Sequence, residues 1–149
     1  MSQHSFNKIW IHFIWETNGN QKVFSPEARK KISGVLYDYC KEKNIFMKVN
    51  YVNADHVHTL IDLPTNLSVE ECIKLLKGYS SYFINKNRIV GHKFSWGKGY
   101  GSFSVSASQV DNVIEYIKGQ KEHHRVKSFR EEYQLFIEKY GIESVGKNR

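Results

Sequence analysis

The stretch Ile45–Leu63 reads Ile-Phe-Met-Lys-Val-Asn-Tyr-Val-Asn-Ala-Asp-His-Val-His-Thr-Leu-Ile-Asp-Leu. It consists of two β-type runs joined by Asn53-Ala54-Asp55, a connection short enough to predict a hairpin. In the first run Phe46, Lys48, Asn50 and Val52 alternate with Ile45, Met47, Val49 and Tyr51. In the second, His56 and His58 flank Val57, and Pro64 ends the strand. Side chains at i and i+2 share a face, so the two imidazoles project side by side with Val57 opposite. That arrangement can hold one metal ion. A His-x-His pair also arises by chance, so the pair needs a third ligand and a chemical partner from elsewhere in the chain.

Outward from the hairpin, a strand and a helix precede it, and a helix and a strand follow. Lys8–Trp15 is a β-branched and aromatic run with little polar content, as a central strand has. Thr17-Asn18-Gly19-Asn20 is a loop. Ser25-Pro26-Glu27 opens a helix with a cap, a proline at the first helical position and an acid at the positive dipole end. Ile32, Val35, Leu36, Tyr39 and Cys40 give that helix its apolar face, and it should end near Lys43-Asn44. After the hairpin, Ser68-Val69-Glu70-Glu71 is a capping box, and the helix it starts reaches about Asn85 with Lys74, Lys77 and Lys86 on a solvated face. Asn87–Gly99 is irregular. Gly97-Lys98-Gly99-Tyr100-Gly101 fits no phosphate-cradling pattern and reads as a flexible loop. Gly101–Ser106 alternates as a fourth strand.

Ser108 can cap a third helix with the apolar stripe Val110, Val113, Ile114 and Ile117, running on to His123-His124. Gly119 then lies inside it at a cost of roughly 1 kcal/mol relative to alanine. Ser128-Phe129-Arg130-Glu131 is a second capping box, and Tyr133, Phe136, Ile137 and Tyr140 are the contacts of the last helix, which Gly141 stops. The order β-α-β-β-α-β-α-α contains the split β-α-β arrangement of a ferredoxin-like α+β fold. We expect a four-stranded antiparallel sheet with helices on one face and the two added helices at its edge. The expected organisation is one domain over residues 1–149, with a core at about 7–140 and a polar tail at 141–149.

With 22 Lys+Arg against 15 Asp+Glu, the net charge is +7, spread along the chain, which suits a folded basic surface and a polyanionic partner such as nucleic acid. Cys40 and Cys72 lie far apart with no second cysteine at metal-ligand spacing, as reduced thiols of a cytoplasmic protein would. The first residues carry no secretory pattern, and no stretch is apolar enough to span a membrane.

On the third helix, Tyr116 and Gln120 are four apart and face the same way, offset from the stripe of Val113 and Ile117. His123-His124-Arg125 follows one turn later and suits either the site, a DNA backbone or a solvated cationic helix end. His56-Val57-His58, the serine-rich strand Gly101–Ser106 and Tyr116 with Gln120 come in the order and spacing of a known constellation. The chain resembles the HUH superfamily, specifically its single-tyrosine transposases, over about Asn7 to Tyr140.

That resemblance implies an enzyme that cleaves and rejoins single-stranded DNA at insertion-sequence ends. Tyr116 would be the nucleophile, forming a 5′-phosphotyrosine and a free 3′-OH. His56, His58 and Gln120 would hold a divalent cation, Mg²⁺ or Mn²⁺, that offsets charge at the scissile phosphate. Two imidazoles and an amide alone would favour a transition metal, so manganese is the more comfortable of the two. The resemblance also implies DNA hairpins near element ends as partners, and a homodimer in which the tyrosine helix can act in trans. The alternatives are a domesticated nickase relative and a non-catalytic single-stranded nucleic-acid-binding module. A stacking platform for the latter wants aromatics on one sheet face, whereas Trp10 and Phe13 fall on opposite faces.

Overall fold

The structure, a computed structural model, describes residues 5–122 and 127–141. Its elements in chain order are β1 (Trp10–Glu16), α1 (Pro26–Glu42), β2 (Phe46–Val52), β3 (His56–Asp62), α2 (Val69–Lys86), β4 (Gly101–Val105), α3 (Val110–Lys118) and α4 (Phe129–Lys139). The four strands form one antiparallel sheet in the order β2-β3-β1-β4, the ferredoxin-like arrangement. The caps behave as their chemistry demands. Ser25 accepts from the Ala28 amide, and Ser68–Glu71 and Ser128–Glu131 are reciprocal capping boxes.

One face of the sheet is a dry core. Ile11, Phe13 and Trp15 of β1 and Val57 and Ile61 of β3 pack with Ile32 and Leu36 of α1 and Ile73 and Leu76 of α2. The added helices do not sit at the edge of the sheet as the sequence suggested. They cover its other face. α3 packs Val110, Val113, Ile114 and Ile117 on Val49, Leu60 and Val105, while α4 packs Phe129, Tyr133 and Phe136 on Ile14 and Phe103. An apolar stripe must be buried somewhere, and the second face carries Ile14, Leu60 and Phe103 to receive it. The seat of α4 is close: a Cβ on Gly101 would come within 2.9 Å of the Tyr133 ring, so glycine is what admits the helix there.

Other details depart from expectation. The alternation in β2 breaks at Lys48, where the register slips: Met47 pairs with Ile61 and Val49 with Leu60. The extra residue lets Met47 enter one core and Val49 the other, and leaves Lys48 exposed. Gly119 is the C-cap of α3 rather than an interior residue, and Ser108 lies in a 3-10 turn (Ala107–Gln109) before it.

The 87–99 segment is irregular but anchored. Asn85 bonds both the N–H and the carbonyl of Phe94, and Trp96 donates to Ser80 Oγ at 3.0 Å. Lys77 is not on the solvated face: its ammonium donates to the carbonyls of Gly97, Lys98 and Gly99. The glycine-rich loop therefore turns oxygens inward to a cation, the opposite of a phosphate cradle. Cys40 and Cys72 are buried free thiols, their pKa values pushed up by burial to about 12 and about 11. Among the described residues no helix is long and apolar enough to cross a membrane.

Candidate active site

The site lies on the sheet face under α3 and α4. In the β1–β3 register Glu16 pairs with His56, Ile14 with His58 and His12 with Leu60. Directly paired residues share a face, so β1 adds His12 to the two imidazoles of β3. All three histidines are buried, at 0–1% exposure.

Each ring nitrogen turned away from the centre has a partner. His56 Nδ1 meets Asp55 Oδ1 at 2.7 Å, and His58 Nδ1 meets His12 Nε2 at 2.9 Å. The two Nε2 atoms then converge on one carboxylate, Glu132 of α4, at 3.3 Å each. His56, His58 and Glu132 are a group able to hold a metal ion, with ligand atoms within 4.8 Å of one another. The donor chemistry fits a divalent cation: two imidazoles with their distal nitrogens fixed, and one carboxylate. His58 Nε2 is sealed from solvent and faces Glu132 Oε2.

Gln120 is buried beside this group. Its Oε1 accepts from Asn53 Nδ2 at 3.2 Å and its Nε2 donates to Glu132 Oε2 at 2.9 Å. Because an ionised carboxylate can only accept, the amide nitrogen must face Glu132. Tyr116 is half-buried, and its ring stands edge-on to His58 at 5.8 Å and to Phe136 at 5.4 Å between centroids. The structure thus brings together, within one chain, His56, His58, Gln120 and Tyr116. His123, His124 and Arg125 lie outside the described residues.

The charges follow from burial and pairing. Burial alone would lower the pKa of His56, but Asp55 and Glu132 outweigh it and raise it. Burial lowers His58 despite Glu132, and burial together with His58 holds His12 well below the ordinary value. Burial works to raise Glu132, yet hydrogen bonds from His56 and His58 hold it down to about 2. The site is therefore an anion ringed by imidazoles, a suitable seat for a cation.

Two cavities flank it. One, of about 640 Å³, is walled by His12, Tyr116, Glu132, Leu135, Phe136 and Tyr140 among others. The other, of about 830 Å³, reaches Asp55 and is rimmed by Lys22, Arg29, Lys121, Lys127 and Arg130. Lys127 borders both.

A model of the family described as "Transposase IS200 like" matches residues 5–120. The chain belongs to the IS200-like transposase family. It is 26% identical over 121 residues to the transposase for insertion sequence element IS200 of Salmonella typhimurium, covering 77% of this chain and 78% of that one. It is 24% identical over 119 residues to the ISDra2 transposase TnpA of Deinococcus radiodurans, covering 76% and 84%. The fold is that of a Deinococcus radiodurans structure described as a candidate transposase, at TM-score 0.64 and 22% identity over 80% of this chain and 96% of that one. It is also that of a REP-associated tyrosine transposase bound to a REP hairpin, at TM-score 0.59 and 12% identity over 83% and 74%. Family membership makes this transposase a DNA-cleaving enzyme.

Sequence reasoning missed His12 and Glu132. His12 was hidden in a strand read for its apolar content. Glu132 follows the capping glutamate Glu131 in the first turn of α4, where an acid needs no explanation beyond the helix dipole. Glu132 also falls beyond the family-matched segment.

Proposed function

We propose that this transposase cleaves and rejoins single-stranded DNA at insertion-sequence ends through a covalent 5′-phosphotyrosine on Tyr116. His56, His58 and Gln120 help to hold a divalent metal beside the scissile phosphate. The observation that carries this reading is the placement of the Tyr116 ring against His58, from an element far along the chain, at the edge of an open cavity.

Tyr116 Oη attacks phosphorus, the bond from phosphorus to the 3′-oxygen breaks, and that oxygen leaves with a proton as a 3′-OH. Rejoining is the reverse attack by a 3′-OH, with Tyr116 as leaving group, so the phosphodiester bond energy is conserved in the protein–DNA link. A bound Mg²⁺ or Mn²⁺ would supply Lewis-acid stabilisation of charge on the phosphate oxygens. Asp55 and His12 fix which nitrogens of His56 and His58 face the site. The basic rim formed by Lys22, Arg29, Lys121, Lys127 and Arg130 suits a phosphate backbone leading to the centre, and hairpin-bearing DNA near element ends is the proposed partner. A homodimer belongs to the same reading, although Tyr116 reaches the histidine face within its own chain.

The rival, a sheet-type single-strand binder, needs an exposed sheet face with aromatics. Here helices cover both faces.

The test is incubation of the full chain with single-stranded DNA carrying the element ends and Mg²⁺ or Mn²⁺. A denaturation-resistant protein–DNA adduct is expected from the wild type and none from Tyr116→Phe, with DNA affinity retained in both. An adduct from Tyr116→Phe, or none from the wild type, overturns the mechanism.

A further inference from the structure

We infer that Glu132 is the anionic ligand of the metal site, so that metal binding latches the C-terminal helix α4 onto the sheet. The inference rests on the reading of His56 and His58 as metal ligands and adds to it a residue beyond the family-matched segment.

Three observations support it. First, position: nitrogen and oxygen donors sit about 2.0–2.2 Å from Mn²⁺-sized or Zn²⁺-sized ions, which spaces neighbouring donors about 3 Å apart. Glu132 stands 3.3 Å from each Nε2, the spacing of co-ligands. Second, charge: two imidazoles and the Gln120 amide are all neutral donors, whereas magnesium and manganese favour carboxylate oxygen. Glu132 supplies that charge, buried at 4% exposure between the two Nε2 atoms. Third, support: Gln120 Nε2 donates to Glu132 Oε2 at 2.9 Å, which fixes the orientation of the carboxylate toward the two imidazoles.

The consequence concerns α4. This helix has 11 residues, too few to persist alone in water, so it exists because it is docked. Its seat is made of ring contacts: Phe129 on His56 at 4.3 Å, Phe136 on Phe103 at 5.3 Å, and Tyr140 Oη donating to the Ser104 carbonyl at 3.1 Å. A ligand that binds through Glu132 binds only the docked arrangement and must stabilise it by mass action. The docked helix also walls the Tyr116 cavity through Leu135, Phe136 and Tyr140. Metal occupancy therefore fixes the shape of the space in which Tyr116 works.

The experiment needs no DNA and no turnover. Mn²⁺ is titrated calorimetrically into the full-length wild type, Glu132→Gln, Glu132→Asp and His58→Ala, and backbone hydrogen exchange of residues 127–141 is followed with and without saturating Mn²⁺. The wild type is expected to bind Mn²⁺ and to slow exchange across α4. Loss of an outer-shell partner typically weakens metal binding about 10–100-fold, so Glu132→Gln should lose at least about tenfold and show no metal-induced slowing. Glu132→Asp, which keeps the charge, should lose less. Thermal melts of the metal-free variants confirm that each is folded. Should Glu132→Gln bind Mn²⁺ as tightly as the wild type, or should α4 exchange in the wild type ignore Mn²⁺, the inference falls while the histidine site stands. If the wild type binds no Mn²⁺, or His58→Ala leaves binding intact, the metal reading falls and takes this inference with it.

Discussion

The two faces of the sheet are built by different physics from the same strands. In β1, Ile11, Phe13 and Trp15 point to α1 and α2, while His12, Ile14 and Glu16 point to α3 and α4. In β3, Val57 and Ile61 point one way and His56 and His58 the other. The first face is held by apolar area, which is tolerant of local detail and forms wherever water is excluded. The second buries polar groups, and each must be matched: His56 to Asp55, His58 to His12, and Gln120 to Asn53 and Glu132. A strand with both faces buried is nevertheless not apolar throughout. The face that carries imidazoles has a chemical task, and its polar groups are matched by one cross-strand pair, His58 with His12, and by neighbours on the hairpin turn and the covering helices.

The largest effect that separates the faces should come from the first. Leu36 of α1 is fully buried in the apolar core. Leu36→Ala should destabilise the fold by about 2–5 kcal/mol in urea unfolding, through lost burial and a residual cavity. Mn²⁺ affinity of the remaining folded protein should be unchanged, and a drop in that affinity would mean the faces are not independent. A smaller effect on stability, with the opposite pattern, is expected from His12→Phe. For His58 Nε2 to serve as a ligand, Nδ1 carries the proton and donates it to His12 Nε2, 2.9 Å away. Phenylalanine keeps the ring packing on Phe103 and Phe136 but removes the acceptor. The stranded Nδ1–H should cost about 1–3 kcal/mol, and Mn²⁺ affinity should fall by about tenfold or more. Calorimetric titration with an unchanged affinity would remove His12 from the site.

This contrast also explains what could be read from the sequence. The hairpin, the serine caps at Ser25, Ser68 and Ser128 and the shared face of His56 and His58 follow from local chemistry and period two, so they were legible. Tyr116 was legible on the third helix and its ring meets His58, whereas Gln120, read on the same helix, lies past the C-cap Gly119 and is held by Asn53 and Glu132. What was not legible is what the second face does in three dimensions. α4 has an apolar pattern that says it must pack, but not where, and it packs over the site rather than at the sheet edge. Glu132 becomes part of the site only through that docking. Lys77 was misread for the same reason: its role in holding three carbonyls of the 97–99 loop depends on a tertiary contact with no sequence period.

The smallest expected effect is the sharpest comparison, because it uses the same motif on each face. Ser68 and Ser128 each cap a helix, accepting from the amides of Glu71 at 3.0 Å and Glu131 at 3.2 Å. Replacing either by alanine removes one cap, at about 0.5–2 kcal/mol. The helices they open differ. α2 buries Cys72, Ile73, Leu76, Ser80 and Ile84, so it unfolds with the whole domain, and Ser68→Ala should appear as about 1 kcal/mol in global urea unfolding. α4 buries only Phe129 and Glu132 along its length, so it can open locally. Ser128→Ala should leave the urea midpoint nearly unchanged and speed hydrogen exchange across residues 129–139. If α4 carries a metal ligand, the same variant should weaken Mn²⁺ binding by up to about fivefold, the factor that 1 kcal/mol represents. Ser68→Ala should leave Mn²⁺ affinity alone. Equal global costs for the two caps, with metal affinity unmoved by either, would show that α4 belongs to the same cooperative unit as the core and is not held by the metal.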